Sequence, residues 1–206
     1  YGGCLALHVS RLWQDLATDP SSSISPPQGY RGTALWAPAV VGDLPPPPVV
    51  FILRRILKPL FPTWTPFFMP HPISSDRIWK DEEARNFFTS DREVEMGLHG
   101  GGIPFCLGTA ANLLSALEQV REKAIPGLTV PFCVSHGTKD YGVPIEGTDY
   151  LLEHSKTLEE DRAILKKEDG YHDLMCEDDA ESDMDFVVNW MDKRVGMDAV
   201  FVTKTS

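Results

Sequence analysis

The 206-residue sequence predicts an α/β fold in which a doubly wound parallel sheet is covered by helices and interrupted by an inserted helical subdomain. Apolar segments of strand length alternate with segments of helical periodicity in the last third of the chain, which is typical of a parallel sheet. A stretch rich in proline, aromatic residues and glycine separates these segments from an earlier helix and strand. The length is sufficient for one domain with a sizeable core.

The first forty residues predict a helix followed by a buried strand. An apolar run of helical character starts directly after Gly2 and Gly3, and the sequence Thr18-Asp19-Pro20 breaks it. The segment "TALWAP" at 33–38 is short and apolar and ends in a proline, as a buried strand does. We therefore assign residues 1–40 to the core of the fold.

Residues 41–127 predict an inserted lid of short helices and loops, with "LPPPPVV" and "FPTWTPFFMPHP" as its most unusual segments. Within it, the segment 49–61 predicts an amphipathic helix with Arg54, Arg55 and Lys58 opposite an apolar face. That face consists of Val49, Ile52, Leu53, Ile56, Leu57 and Leu60. One interpretation is a lid helix that packs this face on the core. The other is a face for transient membrane contact, with the cations on anionic headgroups.

Residues 128–206 predict the second part of the core. Strands are expected at 129–137 and 162–168, and helices at 145–155 and 178–195. The acidic segment "CEDDAESDMD" lacks the spacing of a calcium loop. It is better explained as the negatively charged start of the last helix, so no metal site is predicted.

Composition excludes several classes of function. The sequence has 30 Asp and Glu against 19 Lys and Arg, a formal net charge of -11, which argues against a nucleic-acid surface. The cysteines are widely spaced and match no zinc pattern, so reduced thiols in a cytoplasmic protein are expected, with peripheral membrane association as an open alternative. They are Cys4, Cys106, Cys133 and Cys176. No apolar run reaches the length of a membrane span.

Two polar residues follow the predicted strands of the C-terminal part. Asp140 comes within four residues of the first strand, and His172 follows the second. The carboxyl ends of neighbouring parallel strands meet at one edge of a sheet, where ligands and catalytic groups gather. A carboxylate beside an imidazole makes an oriented general base. The alternatives are a turn aspartate and a surface histidine.

A general base of this kind activates a nucleophile, and the first residues of the chain indicate where that nucleophile is expected. A serine in a G-x-S-x-G turn between strand and helix precedes the acid and the base along the chain. Tyr1 and Gly2 match the last two positions of that turn, and Gly3 permits close packing of the helix. The nucleophile is therefore expected immediately before Tyr1, outside residues 1–206, and these residues alone are expected to be inactive.

These segments together resemble the monoacylglycerol lipase-like branch of the α/β-hydrolases, also called the serine aminopeptidase-like or lysophospholipase-like group. That family reads G-x-S-M-G-G at the nucleophile, V-P-x-x-x-x-H-G-x-x-D-x-V at the acid and G-x-x-H at the base. The segments "YGG", "VPFCVSHGTKDYGV" and "DGYHDL" match in that order. The string "HGGG" at 99–102 lies downstream of the expected serine, so a flexible joint is the better interpretation than an oxyanion loop.

The resemblance implies that the chain is the C-terminal portion of an α/β-hydrolase with a helical lid. It implies Asp140 as the triad acid, His172 as the triad base and the backbone N–H of Tyr1 as part of the oxyanion hole. It further implies a serine ester hydrolase that acts through an acyl-enzyme on acyl-ester lipids such as monoacylglycerols or lysophospholipids, without a cofactor. The alternative is an inert fragment or degenerate homologue that binds lipid or protein.

Overall fold

A computed structural model describes residues 1–24, 27, 29–42, 45–66, 75–90 and 106–196. Within them, three strands form one sheet in the order β1-β2-β3. They are β1 (Thr33–Trp36), β2 (Phe132–Gly137) and β3 (Arg162–Lys167). Both pairs are parallel, so the parallel sheet expected from the alternation of strands and helices is present.

The central strand β2 is buried along its whole length. A strand in a parallel sheet that is covered on both faces has a nearly continuous apolar sequence, and most residues of β2 are apolar. The strand begins three residues later than predicted because Pro131 has no N–H to donate to the sheet. Ser135 and His136 are polar residues inside this buried strand.

Eight α-helical segments accompany the sheet in the described residues, and the three at 2–18, 146–154 and 180–195 match predicted helices within one or two residues. They are α1 (Gly2–Thr18), α2 (Pro47–Ile52), α3 (Lys58–Leu60), α4 (Ser75–Ile78), α5 (Glu82–Thr89), α6 (Leu107–Gln119), α7 (Glu146–His154) and α8 (Ala180–Val195). A π-helical turn at Leu53–Leu57 joins α2 to α3, and another at Val120–Ala124 follows α6. No helix among the described residues is long and apolar enough to cross a membrane.

The main core lies between the sheet, α1 and the C-terminal end of α6. Cys4 and Leu7 of α1 pack there with apolar residues of β1, β2 and the turn after α6. Cys4, Cys106, Cys133 and Cys176 are unpaired, and Cys4 and Cys133 are buried. Burial raises the pKa of the Cys133 thiol to about 11, so this side chain is a neutral core residue at physiological pH.

The start of α1 lies against the residues that follow β1. A Cβ atom added to Gly3 would lie 2.7 Å from Cα of Pro38, whereas one added to Gly2 would meet nothing within 4 Å. Gly3 is therefore required for this close approach, as predicted from its position. The contact brings the N-terminus of α1 to the carboxyl end of β1.

The amphipathic segment that includes α2 and α3 is oriented differently from the prediction. The Arg54 side chain pairs with Glu118 of α6 at 2.7 Å, and Lys58 donates to Asn112 at 2.7 Å. Leu53 and Leu57 turn inward with these cations and are half-buried. The expected single apolar face, with the cations opposite it, is therefore wrong in part, because the polar contacts to α6 place the cationic side inward.

Apolar side chains on the opposite side of this segment are exposed. We define the outer apolar face as the exposed residues Val49, Phe51, Ile52, Ile56, Leu60, Phe61 and Trp64. The interpretation in which the apolar side packs on the core is wrong for these residues. Of the three cations expected on headgroups, Arg54 and Lys58 bind α6 and Arg55 is exposed, so membrane contact through this segment stays a prediction.

Candidate active site

The loops that follow β2 and β3 are packed directly on each other. The backbone N–H of Lys139 donates to the carbonyl of Gly170 at 2.9 Å, and that of Thr138 donates to Lys167 at 2.9 Å. A Cβ atom on Gly137 would overlap the carbonyl oxygens of Gly170 and Tyr171. The glycine at the end of β2 therefore permits the contact between the two loops that carry Asp140 and His172.

The side chains of Asp140 and His172 meet at this edge of the sheet. Nδ1 of His172 lies 2.7 Å from Oδ2 of Asp140, so the predicted contact is present. The Asp140 side chain is fully buried, while that of His172 is 34% exposed. The carboxylate accepts from Nδ1, which leaves Nε2 as the nitrogen available to another group.

The Asp140 carboxylate accepts four hydrogen bonds. Oδ1 accepts from the backbone N–H groups of Gly142 at 2.8 Å and Val143 at 2.7 Å. Oδ2 accepts from His172 and from Nε2 of His136 at 3.1 Å. Burial by itself would raise the pKa of Asp140, but the hydrogen bonds from the two imidazoles and from Val143 outweigh it and hold the pKa well below its usual range. The carboxylate is therefore ionised at neutral pH.

Sequence reasoning assigned no role to His136, although the structure brings it to the same carboxylate. Its ring is completely buried in β2, and Nδ1 lies 2.7 Å from Oγ1 of Thr148 in α7. Nε2 also lies 3.0 Å from the carbonyl oxygen of Val143. The available signal was a histidine inside an apolar strand, four residues before Asp140. A buried imidazole needs partners, and the nearest polar group in the sequence supplies one.

The predicted insertion, residues 41–127, is attached through Ile78 and Trp79 to the loop that carries His172. The indole Nε1 of Trp79 donates to Oδ2 of Asp173 at 2.8 Å, and the Asp173 backbone N–H donates to the carbonyl of Ile78 at 3.3 Å. Trp79 stacks on Phe88 of α5 with ring centroids 4.8 Å apart. The residue that directly follows His172 is thus bonded to the insertion.

Tyr1 is the residue that precedes the first turn of α1. Through the contact between Gly3 and Pro38, the start of this helix lies at the carboxyl end of β1. Asp140 and His172 follow the carboxyl ends of the other two strands, so all three segments belong to one edge of the sheet. The role of the Tyr1 N–H in an oxyanion hole stays a prediction, and "HGGG" at 99–102 lies outside the described residues.

Comparison with known proteins identifies the family. The family described as serine aminopeptidase, S33 matches residues 21–179, a range that includes both Asp140 and His172. The chain belongs to this family. This S33 family member is 26% identical over 165 residues to a monoacylglycerol lipase of Mycolicibacterium smegmatis. That alignment covers 80% of the chain and 54% of the relative, so the chain spans about half the length of that relative.

Solved structures confirm the predicted α/β-hydrolase fold for this S33 family member. The monoacylglycerol lipase of Paleococcus ferrophilus superposes with a TM-score of 0.63 at 16% identity, over 90% of this chain and 65% of that one. A soluble variant of monoglyceride lipase from Saccharomyces cerevisiae, in complex with a substrate analogue, gives a TM-score of 0.64 at 14% identity, over 95% and 60% of the two chains. At these identities the likeness concerns the fold.

Proposed function

We propose that the full-length protein is a serine ester hydrolase of the monoacylglycerol lipase type, and that residues 1–206 supply the acid and the base of its triad. The observation that carries this proposal is the contact between Asp140 and His172, in the loops that follow the neighbouring strands β2 and β3. Membership of the S33 family supports the same class of reaction.

In the proposed mechanism, Nε2 of His172 removes the proton from a serine that precedes Tyr1, and the serine oxygen attacks the ester carbonyl. Asp140 accepts from Nδ1 and thereby keeps Nε2 unprotonated in the resting state and stabilises the imidazolium that forms. The backbone N–H of Tyr1 donates to the developing oxyanion. His172 then protonates the departing alcohol, and a water activated by the same nitrogen hydrolyses the acyl-enzyme.

Two features support an acyl-ester lipid as the substrate. The named relatives are a monoacylglycerol lipase and monoacylglycerol or monoglyceride lipase structures. The outer apolar face also offers seven exposed apolar side chains on the insertion. The acyl chain of such a substrate would find apolar partners among these side chains.

The nucleophile is tested by covalent labelling of the full-length protein with a fluorophosphonate. We expect a single labelled serine directly before Tyr1, with hydrolysis of monoolein in the same preparation. His172→Ala removes the base, so labelling and turnover are expected to fall by at least about 10³-fold. His154→Ala is the matched control, since His154 is an exposed histidine on α7 whose ring stacks on Tyr150, and it should retain both. A label on another serine, or a folded protein that takes no label, contradicts the proposal.

We further propose that the outer apolar face docks on a neutral lipid surface. Arg54 and Lys58 are bound to α6, and Arg55, although exposed, is a single cation on a chain whose formal net charge is -11, so attraction to anionic lipids does not drive the contact. Burial of apolar side chains in the interface supplies the affinity instead. This contact would deliver acyl-ester lipids to the insertion that is bonded to the His172 loop.

Vesicle binding tests this docking. With phosphatidylcholine vesicles, Ile56→Asp in the full-length protein is expected to weaken binding about tenfold, because an apolar side chain is lost from the contact and a charge is added. Val195→Asp is the control, since Val195 is also an apolar, exposed side chain but lies at the end of α8. Equal losses in both variants, or binding that requires anionic lipid, would refute the proposed surface.

A further inference from the structure

The neighbours of His136, the buried histidine of β2, determine which of its ring nitrogens carries a hydrogen. Nε2 of His136 faces two acceptors, Oδ2 of Asp140 at 3.1 Å and the carbonyl oxygen of Val143 at 3.0 Å. Neither an ionised carboxylate nor a carbonyl can donate, so Nε2 must carry the hydrogen. The hydroxyl of Thr148 lies 2.7 Å from Nδ1 and can donate to it, which satisfies both ring nitrogens in the tautomer protonated at Nε2.

These hydrogen bonds connect both ends of the loop from Asp140 to Val143, here called the acid loop. Val143 donates its N–H to Oδ1 of Asp140 and offers its carbonyl to Nε2 of His136. The loop therefore closes on the carboxylate from one side, and the His136 ring anchors it to β2 and α7 from the other. The side chains of His136, Asp140 and Thr148 are all buried, so water cannot replace a missing partner there.

We propose that His136 is a positioning residue of the proposed hydrolase, whose Nε2–H holds the Asp140 carboxylate in the orientation that accepts from His172. Oδ2 is shared by the two imidazoles, so the direction of the bond to His172 depends on the bond to His136. Among the described residues, these two histidines are the titratable side chains hydrogen-bonded to that carboxylate. The inference rests on the proposed function for its catalytic consequence alone.

Two substitutions of His136 distinguish the effect of losing the N–H donor from the effect of losing side-chain volume. His136→Leu fills the same space without a donor, whereas the amide of His136→Gln keeps an N–H near the position of Nε2. Thr157→Val is the structural control, because Thr157 is equally buried and its hydroxyl donates to the carbonyl of Val130 at 2.9 Å, at the opposite end of β2. It removes a buried hydrogen bond without touching the acid loop.

We expect His136→Leu to lower kcat for ester hydrolysis about 10- to 100-fold with little change in KM, since one hydrogen bond to a charged group is lost. His136→Gln should recover most of that loss, and Thr157→Val should stay within about threefold of the wild type. Carboxyl ¹³C NMR should show a higher pKa for Asp140 in His136→Leu than in the wild type, and an intermediate one in His136→Gln. Thermal unfolding of each variant reports the structural cost separately.

Nitrogen NMR of the wild-type protein gives a test that needs no variant and no turnover. Two-bond ¹H–¹⁵N correlations should show His136 as the neutral tautomer protonated at Nε2. A proton on Nδ1 alone overturns the inference even if the protein hydrolyses esters. Losses of activity that follow unfolding temperature equally in all three variants also overturn it. If the wild type hydrolyses no ester, the proposed function fails, while the tautomer and the Asp140 titration still decide the effect of His136 on the carboxylate.

Discussion

Replacing Asp140 by asparagine is expected to lower kcat for ester hydrolysis about 10⁴-fold in the full-length protein. The amide oxygen can keep the two backbone donors at Oδ1, Gly142 and Val143. The amide nitrogen then faces Nδ1 of His172 and Nε2 of His136 with a donor where both rings need an acceptor. His172 consequently turns to the tautomer protonated at Nε2, which cannot take a proton from the serine.

The measurement is steady-state kinetics on a soluble ester together with thermal unfolding of the same preparations. Asp169→Asn is the matched control, because Asp169 lies in the neighbouring loop and makes an exposed ion pair with Lys139 at 2.7 Å. Such pairs contribute little to stability, so this variant should retain activity within about threefold. An Asp140→Asn enzyme with more than about a tenth of wild-type activity would show that the carboxylate is not the triad acid.

Acid stability provides a second readout for the same substitution. The pKa of Asp140 is lowered in the folded protein, so its ionised form stabilises the fold above the ordinary aspartate pKa, about 4. That contribution is lost as the pH falls through the lowered folded-state pKa. As the pH is lowered below about 4, the Asp140→Asn protein should therefore lose less stability than the wild type.

Replacing Gly137 by alanine is expected to destabilise the fold and to disable the site together. The added methyl group would overlap the carbonyl oxygens of Gly170 and Tyr171, which belong to backbone and cannot rotate away. The loops after β2 and β3 must separate, and Lys139 then loses its bond to the Gly170 carbonyl. We expect a loss of about 3 kcal/mol or more in the free energy of unfolding.

In the full-length protein, that loss should appear as a fall in Tm of several degrees, measured by calorimetry. Ester hydrolysis should fall at least about 100-fold, because a displacement of about 1 Å between acid and base is sufficient for such an effect. Gly196→Ala is the control, since the nearest atom to its added Cβ lies 3.8 Å away, at the end of α8. A Gly137→Ala protein with wild-type Tm and activity would refute the close contact between the loops.

The elements of the fold were readily predicted from the sequence, because each has a strong local signal. β2 is a continuous apolar run, α8 starts in an acidic segment, and Asp140 and His172 follow strand ends. The start of α1 was marked by Gly3, whose missing side chain is explained by Pro38. Periodicity, turn residues and chain order are local properties, so they can be interpreted without coordinates.

The orientation of the insertion was not determined by local signals. The segment 49–61 has apolar and cationic residues at helical spacing, and that pattern does not say which side meets protein. Contacts from Arg54 to Glu118 and from Lys58 to Asn112, more than fifty positions away, turn the cationic side inward. A helical pattern specifies that two faces differ, and only the neighbouring surface decides which one is buried.

By itself, then, the sequence determined the α/β class, the order of strands and helices, and the acid and base candidates. Only the tertiary structure brought His136 to Asp140, because that contact depends on the loop from Asp140 to Val143 folding back over β2. Sequence distance reveals little about such a fold-back, since a turn of four residues can aim a carboxylate in several directions. In the folded protein, two backbone donors and two imidazoles converge on one buried carboxylate, and their combined hydrogen bonds select its direction.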